Sequence, residues 1–303
     1  MKKLKHLGFS GAGFAIPGIA GAGYEVLKNG FKPDIISGVS SGSILTFLIC
    51  ASKNPLKDIK SNSIGFKSKQ VFKHPPFSSK GKIKIRSIWN AITKNYLSKQ
   101  DKLDDLLRSI ISEKDWTDYL NNDDAPEGVI MSVDILSGSR IFTKLKELSY
   151  EDAITNVVAS ASIPVFVNPV EHKDYLLMDG GVRNHILSEW ILDNYDISEN
   201  ISIFARPEDF KKPTTKKDVK GTFKILERTI EIMQFEISKS DEQLAKLKCS
   251  EKNVDYKSIY VENILNNVYE ESKDKQIELF FNGVAEAKKI IFNEVEEESK
   301  KII

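Results

Sequence analysis

Short apolar runs alternate along this chain with longer amphipathic stretches, and the two periods predict its elements. Leu4 to Phe9 reads as a short strand. A glycine-rich loop follows over Ser10 to Gly13, then a helix to about Asn29, which Gly30 closes at a C′ position. A second strand, Ile35 to Ser37, enters the string Gly38-Val39-Ser40-Ser41-Gly42 and leaves it as a helix to about Ser52. Two strand-and-helix units within roughly fifty residues predict a parallel sheet covered by helices, an α/β fold. The segment 53–123 is lysine-rich, then helical at "LDDLLRSIIS", and is expected to lie off the sheet. Strands are predicted at Val129 to Ile135 and Ser139 to Lys144 around the turn "LSGS", and a helix at Tyr150 to Ser160. The loop "ASIPVFVNP" leads to a strand at Tyr175 to Met178 and the triplet "DGG", with a further strand at Ile201 to Ala205. Past Arg206 the stretch "RPEDFKKPTTKK" reads as a polar connector. A long helix then spans Thr222 to Lys248, with apolar residues at Phe223, Leu226, Ile230, Met233 and Ile237. A short strand at Ser258 to Val261 and a helix from about Lys275 complete a chain without internal repeats. The expected organisation is a core over 1–206 carrying a basic helical insertion at about 53–123, and a mainly helical extension over 207–303 packed on it.

Composition narrows this picture. With 303 residues, 41% of them hydrophobic, the chain can bury a large core as one domain or as a domain with an appendage. Lys plus Arg (44) nearly cancels Asp plus Glu (43), and a net charge of +1 argues against a nucleic-acid partner. The balance is uneven: between residues 51 and 100 eleven lysines and Arg86 face the single acid Asp58. Cys50 and Cys249 offer neither a disulfide framework nor metal-ligand spacing, which fits a reducing, cytoplasmic setting and no metal. No apolar run reaches the 18 residues expected of a transmembrane helix. The stretch "MKKLKHLGFSGAGFAIPGIAGAGY" has the outline of a signal peptide with Ala20 to Ala22 as its cleavage site, but Ser10, Pro17 and the repeated glycines dilute its apolar middle.

Those glycines have a better use. Gly38-x-Ser40-x-Gly42 between a strand and a helix fits a nucleophile elbow, in which two glycines make room for a sharp turn that exposes Ser40. The plainer alternative is a small-residue loop in which Ser41 or Ser43 caps the helix. An elbow needs backbone N–H groups aimed at developing negative charge, and the loop Ser10-Gly11-Ala12-Gly13 ends the strand expected beside it. A dinucleotide fingerprint is disfavoured because Ile16 stands where the third glycine belongs and Asp34 precedes its strand. A general base is also needed. The four histidines, His6, His74, His172 and His185, are poorly placed for a conventional hydrolase order, so Asp179 acting alone is the economical choice; its alternative is an Asp-Gly-Gly turn.

Together the three elements resemble the patatin-like phospholipases, whose glycine-rich loop, G-x-S-x-G serine and D-G-[GA] aspartate match "SGAG" at 10–13, "GVSSG" at 38–42 and "DGG" at 179–181. The flanking "VLKNGFKPDIISGVSSGSI", "ASASIPVFVNPV" and "FFNGVAEAKKI" are similar as well. The resemblance covers about residues 4–206. It implies a three-layer α/β/α fold with a mostly parallel central sheet, Ser40 as nucleophile and Asp179 as its base, and no cofactor. It further implies an oxyanion hole from Gly11, Ala12, Gly13 and Ser41, and motif glycines Gly38, Gly42, Gly180 and Gly181. The implied reaction is hydrolysis of acyl esters of phospholipids or other acyl lipids through an acyl-enzyme. An acyltransferase, a thioesterase or a non-catalytic lipid-binding member are its alternatives. One departure stands out: Ala15 occupies the position where the family usually has Arg or Lys. Finally, "KIKIRSIWNAITKNYL" places Ile85, Ile88, Trp89, Ile92 and Tyr96 on one helical face, with Lys84, Arg86 and Lys94 elsewhere. This pattern reads either as peripheral attachment to a membrane surface or as a helix packing its apolar stripe on the sheet.

Overall fold

The two apolar runs nearest the N-terminus become the middle of a sheet. In the computed structural model, which describes residues 3–72, 74–75, 84–94, 96–210, 215, 219–262 and 272–301, the chain opens with β1 (Leu4–Phe9), α1 (Ile16–Lys28), β2 (Ile35–Val39) and α2 (Ser41–Ala51). Helices α3 (Pro55–Ser63), α4 (Ser68–Val71), α5 (Ile85–Thr93), α6 (Leu103–Ile110) and α7 (Glu113–Leu120) follow. Then come β3 (Glu127–Asp134), β4 (Arg140–Lys144), α8 (Tyr150–Ser160), β5 (Val170–His172), β6 (Tyr175–Asp179), α9 (Ser188–Asn194) and β7 (Ile197–Phe204). Helix α10 (Thr222–Lys252), β8 (Asp255–Tyr260) and α11 (Lys273–Lys301) close the chain.

Among the described residues the sheet runs β5-β6-β3-β2-β1-β7-β8, with β4 paired to β3. Strands β3, β2, β1, β7 and β8 are mutually parallel, while β4 and β6 run antiparallel to β3, and β5, antiparallel to β6, runs in the direction of β3. Alternation along the central strands divides the core in two. Leu7, Phe9, Ile36 and Ile130 join α1, α2, α8 and α11 on one face; Ile35, Val39, Val129 and Met131 join α9 and the Cys249 end of α10 on the other. Three layers result, as expected of the family that the motifs resemble.

The glycines of α1 serve helix packing. A Cβ at Gly21 would sit 2.0 Å from the Phe280 carbonyl oxygen, and one at Gly283 would sit 1.9 Å from that of Gly18, so α1 and α11 meet backbone to backbone. Residues 207–303 thus supply the edge strand β8, which pairs with β7, and a helix embedded against α1.

Strand β7 starts four residues earlier than the apolar run alone indicates, because its polar positions find partners across the sheet. Glu199 pairs with Lys5 at 2.7 Å and Lys257 at 3.0 Å, and the buried Asn200 meets His6 at 2.9 Å. The short β5 and α9 have no sequence signal of their own. Helices α3, α6 and α7 pack on the outer helices α1, α2 and α8, with the indole of Trp116 stacked on Phe47 at 5.4 Å. On α5 the side chains of Ile85, Ile88 and Ile92 lie outside the described residues, as does that of Phe223 on α10; Trp89 is exposed. No helix among the described residues is long and apolar enough to cross a membrane.

Candidate active site

Register brings the two candidate residues together. Val39 lies opposite Met131 on β3, and the next residue of β3, Ser132, lies opposite Asp179 on β6. Ser40 and Asp179 therefore flank β3 at the same level, about two strand spacings or ~10 Å apart in backbone terms, with their side chains left to close the gap.

Ser40 adopts φ 56° and ψ −126°, a backbone conformation rare for a residue with a side chain, directly before α2. The turn demands its glycines: a Cβ at Gly38 would lie 2.1 Å from the Gly42 carbonyl oxygen, and one at Gly42 would lie 2.5 Å from that of Phe9. The turn is pinned on both sides. The Ser40 N–H donates to Ser160 Oγ at 3.2 Å, and that hydroxyl donates to the Met131 carbonyl at 2.6 Å. Both the N–H and the hydroxyl of Ser43 donate to the Ser40 carbonyl, at 2.9 Å and 2.5 Å. Neither Ser41 nor Ser43 is the N-cap of α2: Ser41 Oγ accepts the Ala12 N–H, Ser43 Oγ donates to the Ser40 carbonyl, and Ser40, which is the N-cap, makes no capping hydrogen bond through its hydroxyl.

Asp179 ends β6, buried to 4% exposure beside Ser40 at 7%. Its N–H donates to the Ser162 carbonyl at 3.0 Å, and its Oδ1 accepts the Gly181 N–H at 2.7 Å. Burial pushes this carboxyl up to about 6, against the pull of hydrogen bonds from the Ser40 hydroxyl and the Gly181 amide. Gly180 has no room for a side chain, since a Cβ there would approach the Met131 carbonyl oxygen to 2.5 Å.

The glycine loop lies against this pair. A Cβ on Gly11 would be 3.2 Å from Ser40 Cβ and 3.8 Å from its Oγ. Ser10 ties the loop to β7 by donating its N–H to the Ile203 carbonyl at 3.0 Å and accepting the Ala205 N–H at 2.9 Å. The expectation for Ala12 is corrected: its N–H donates to Ser41 Oγ at 2.8 Å and is already engaged. Among the described residues the N–H groups of Gly11, Gly13 (φ +52°) and Ser41 carry no hydrogen bond. Ala15 is buried, and beside it Phe14 packs on Phe66 and Phe72 at 5.5 and 6.4 Å, so this flank of the loop is aromatic and not cationic.

Several supporting residues escaped the sequence reading. Ser160 and Ser162 lie in the string "ASASIP", quoted above only as a flank. Asp241 on α10 accepts from Asn184 Nδ2 at 2.8 Å, the His185 N–H at 2.6 Å and the Ile186 N–H at 3.4 Å. It thereby holds the loop leaving the Asp179 turn. His185 itself turns its ring toward Gly181, and burial together with the charge of Arg206 lowers it to about 4. A buried serine hydroxyl on a strained turn, next to a buried carboxylate and beneath unused backbone donors, is equipped for nucleophilic acyl chemistry.

The crystal structure of VipD from Legionella pneumophila shares the fold at a TM-score of 0.50 and 11% identity, over 96% of this chain and 67% of that one. No curated protein matches the sequence. The family model of the patatin-like phospholipases matches residues 7–190, a span that holds the serine turn, the aspartate and the glycine loop. The chain belongs to the patatin-like phospholipase family, whose members are lipid acyl hydrolases.

Proposed function

We propose that this protein is a phospholipase of A type that cleaves an acyl ester of a phospholipid through a Ser40-Asp179 dyad. The reading rests on one observation above all: the Ser40 hydroxyl, held on a turn at φ 56°, lies close enough to the buried Asp179 carboxyl to lower its proton affinity. Ionised Asp179 accepts the hydroxyl proton as Oγ attacks the ester carbonyl. The resulting oxyanion is met by the N–H groups of Gly11, Gly13 and Ser41, a kind of donor worth roughly 10² to 10³ in rate each. Collapse of the tetrahedral intermediate breaks the ester bond; the departing alcohol takes the proton back from Asp179 and leaves the acyl group on Ser40. Water then attacks the acyl-enzyme, Asp179 accepting its proton and returning it to Oγ as the fatty acid departs. The aromatic wall of Phe14, Phe66 and Phe72 supports an acyl chain as the group bound beside the glycine loop. The substrate is a membrane lipid, so the enzyme works at a bilayer surface.

Labelling with a fluorophosphonate probe tests the nucleophile, and mass spectrometry of products from mixed phospholipid vesicles tests the reaction. Wild-type protein should be labelled and should release fatty acid and lysolipid, whereas Ser40→Ala should do neither. Labelling of Ser40→Ala at the wild-type level would remove Ser40 from the mechanism.

A further inference from the structure

The lysine-rich stretch has no part in the dyad, yet its charge is concentrated rather than scattered. Between residues 59 and 100 the sequence holds nine lysines and Arg86 and not one acid. Elsewhere the cations are spent inside the protein: Arg108 bridges Asp104 and Glu151, and Lys53 reaches Asp115 and Asp118. Among the described residues Lys84 and Arg86 form no ion pair. Like charges held together without a counterion repel, and an anionic ligand relieves that cost.

Two of these charges, Lys84 and Arg86, line a cavity. A cleft of about 270 Å³ is lined by His74, Lys84, Arg86, Ser87, Asn90 and Leu97, and its lining contains no acid. It is fixed to the active site by the backbone. The Leu97 and Ser98 N–H groups donate to the Val165 and Phe166 carbonyls, each at 2.9 Å. Ser98 Oγ donates to the His74 carbonyl at 2.5 Å, and Asn90 Nδ2 to the Leu97 carbonyl at 3.1 Å. Val165 stands three residues beyond Ser162, the carbonyl that receives the Asp179 amide. Three residues reach at most ~11 Å, so a single short loop joins the cleft to the dyad. Its volume falls below the usual range for whole small-molecule ligands and suits one polar group. On the same helix Trp89 is 65% exposed, an aromatic of the sort that settles at a lipid–water boundary.

We propose that this cleft is a phosphate-binding subsite for the head group of a membrane phospholipid, with Arg86 gripping two phosphate oxygens and Lys84 adding a point charge. The assignment deepens the phospholipase reading and rests on it, since the cleft sits one loop from the dyad. It also answers the aromatic flank of the glycine loop: positive charge enters the site from α5 and not from Ala15.

The test is binding by full-length Ser40→Ala protein, which cannot turn over, so failure of the hydrolase reading and failure of the subsite read out separately. Three vesicle types are compared: phosphatidylcholine alone, phosphatidylcholine with phosphatidylglycerol, and phosphatidylcholine carrying the same negative charge as oleate. Adding Lys84→Ala and Arg86→Ala should weaken co-sedimentation with oleate vesicles about thirty-fold, the general attraction of two basic residues to an anionic surface, and with phosphatidylglycerol vesicles at least about tenfold more, the added loss of charge-assisted phosphate contacts. Lys84→Arg alone, which keeps the charge and leaves Arg86 in place, should keep most of the phosphatidylglycerol binding, which separates lost contacts from lost folding. Equal losses on both anionic surfaces, or no loss on phosphatidylglycerol, would overturn the proposal. Calorimetry with inorganic phosphate completes it: binding as tight as to the vesicles would make free phosphate the ligand and overturn the lipid assignment.

Discussion

In the proposed dyad Asp179 must be ionised to take a proton, and its surroundings decide when it is. Burial raises the carboxyl to about 6, while the Ser40 hydroxyl and the Gly181 amide hold it down by hydrogen-bonding the charged form. A base at that value is largely ionised at neutral pH yet keeps enough proton affinity to accept from serine. Hydrolysis, measured as kcat/KM on a soluble ester, should therefore be level above about pH 7 and fall roughly tenfold per unit below about pH 6. A profile that stays level down to the ordinary carboxylate range, near 3.8, would show that Asp179 is not the base. The Ser40 turn and the buried Asp179 turn are legible because they are written locally, as glycines around a serine and after an aspartate. Ser160 is not, because its meaning is its contact with a backbone 120 positions away. Ala12 was misread for a related reason: what its N–H donates to is decided by the Ser41 side chain, and nothing at position 12 announces it.

Helix α10 lies beyond the 7–190 span that the family model matches, yet it reaches the catalytic turn. Its Asp241 carboxylate collects one side-chain and two backbone donors from Asn184, His185 and Ile186, and the N–H groups of Arg183 and Asn184 in turn donate to the Gly180 carbonyl at 2.9 and 3.1 Å. One helical turn is thus the foundation of the residue pair following Asp179. Next to it the buried pair Arg206 and Glu242, extended by Tyr260 and Ser258, ties the same helix to β7 and β8. Asp241→Ala leaves three buried donors without an acceptor, at a cost on the order of 3 kcal/mol, and it should lower kcat more than it raises KM because the base loses its footing. Denaturant unfolding and steady-state kinetics check both; unchanged kcat in a folded variant would confine Asp241 to structure. From the sequence α10 is legible only as a long amphipathic helix, since its apolar stripe says that it packs but not on what. Strand β8 and the glycines of α1 and α11 are similar cases, clear as pieces and silent about their partners.

The three-layer division of the molecule is already present in the alternation of β1, β2 and β3, but its polar interior is not, and that interior sets how the whole protein responds to acid. Burial lowers His6 to about 4, against its hydrogen bond to Asn200, and lowers His185 to about 4, while it raises Asp179 and Asp241 to about 6. For the histidines the folded value lies below the unfolded 6.5, so their stabilisation is present above that pH and is lost as pH falls toward about 4. For the carboxyls the folded value lies above the unfolded 3.8, so the fold binds the extra protons and loses stability as pH rises from about 4 to about 6. The two slopes oppose each other in one window, and these four groups leave the wild-type protein nearly flat across it. Asp179→Asn removes one descending contribution, keeps an oxygen to accept the Gly181 N–H, and leaves the histidines less opposed. The variant should then exceed the wild type in stability by on the order of 3 kcal/mol at neutral pH, with the difference closing as pH falls to about 4. Urea unfolding of both proteins across that range measures the gap, and a gap that is absent or independent of pH would mean that the Asp179 carboxylate is not held at a cost in the folded state.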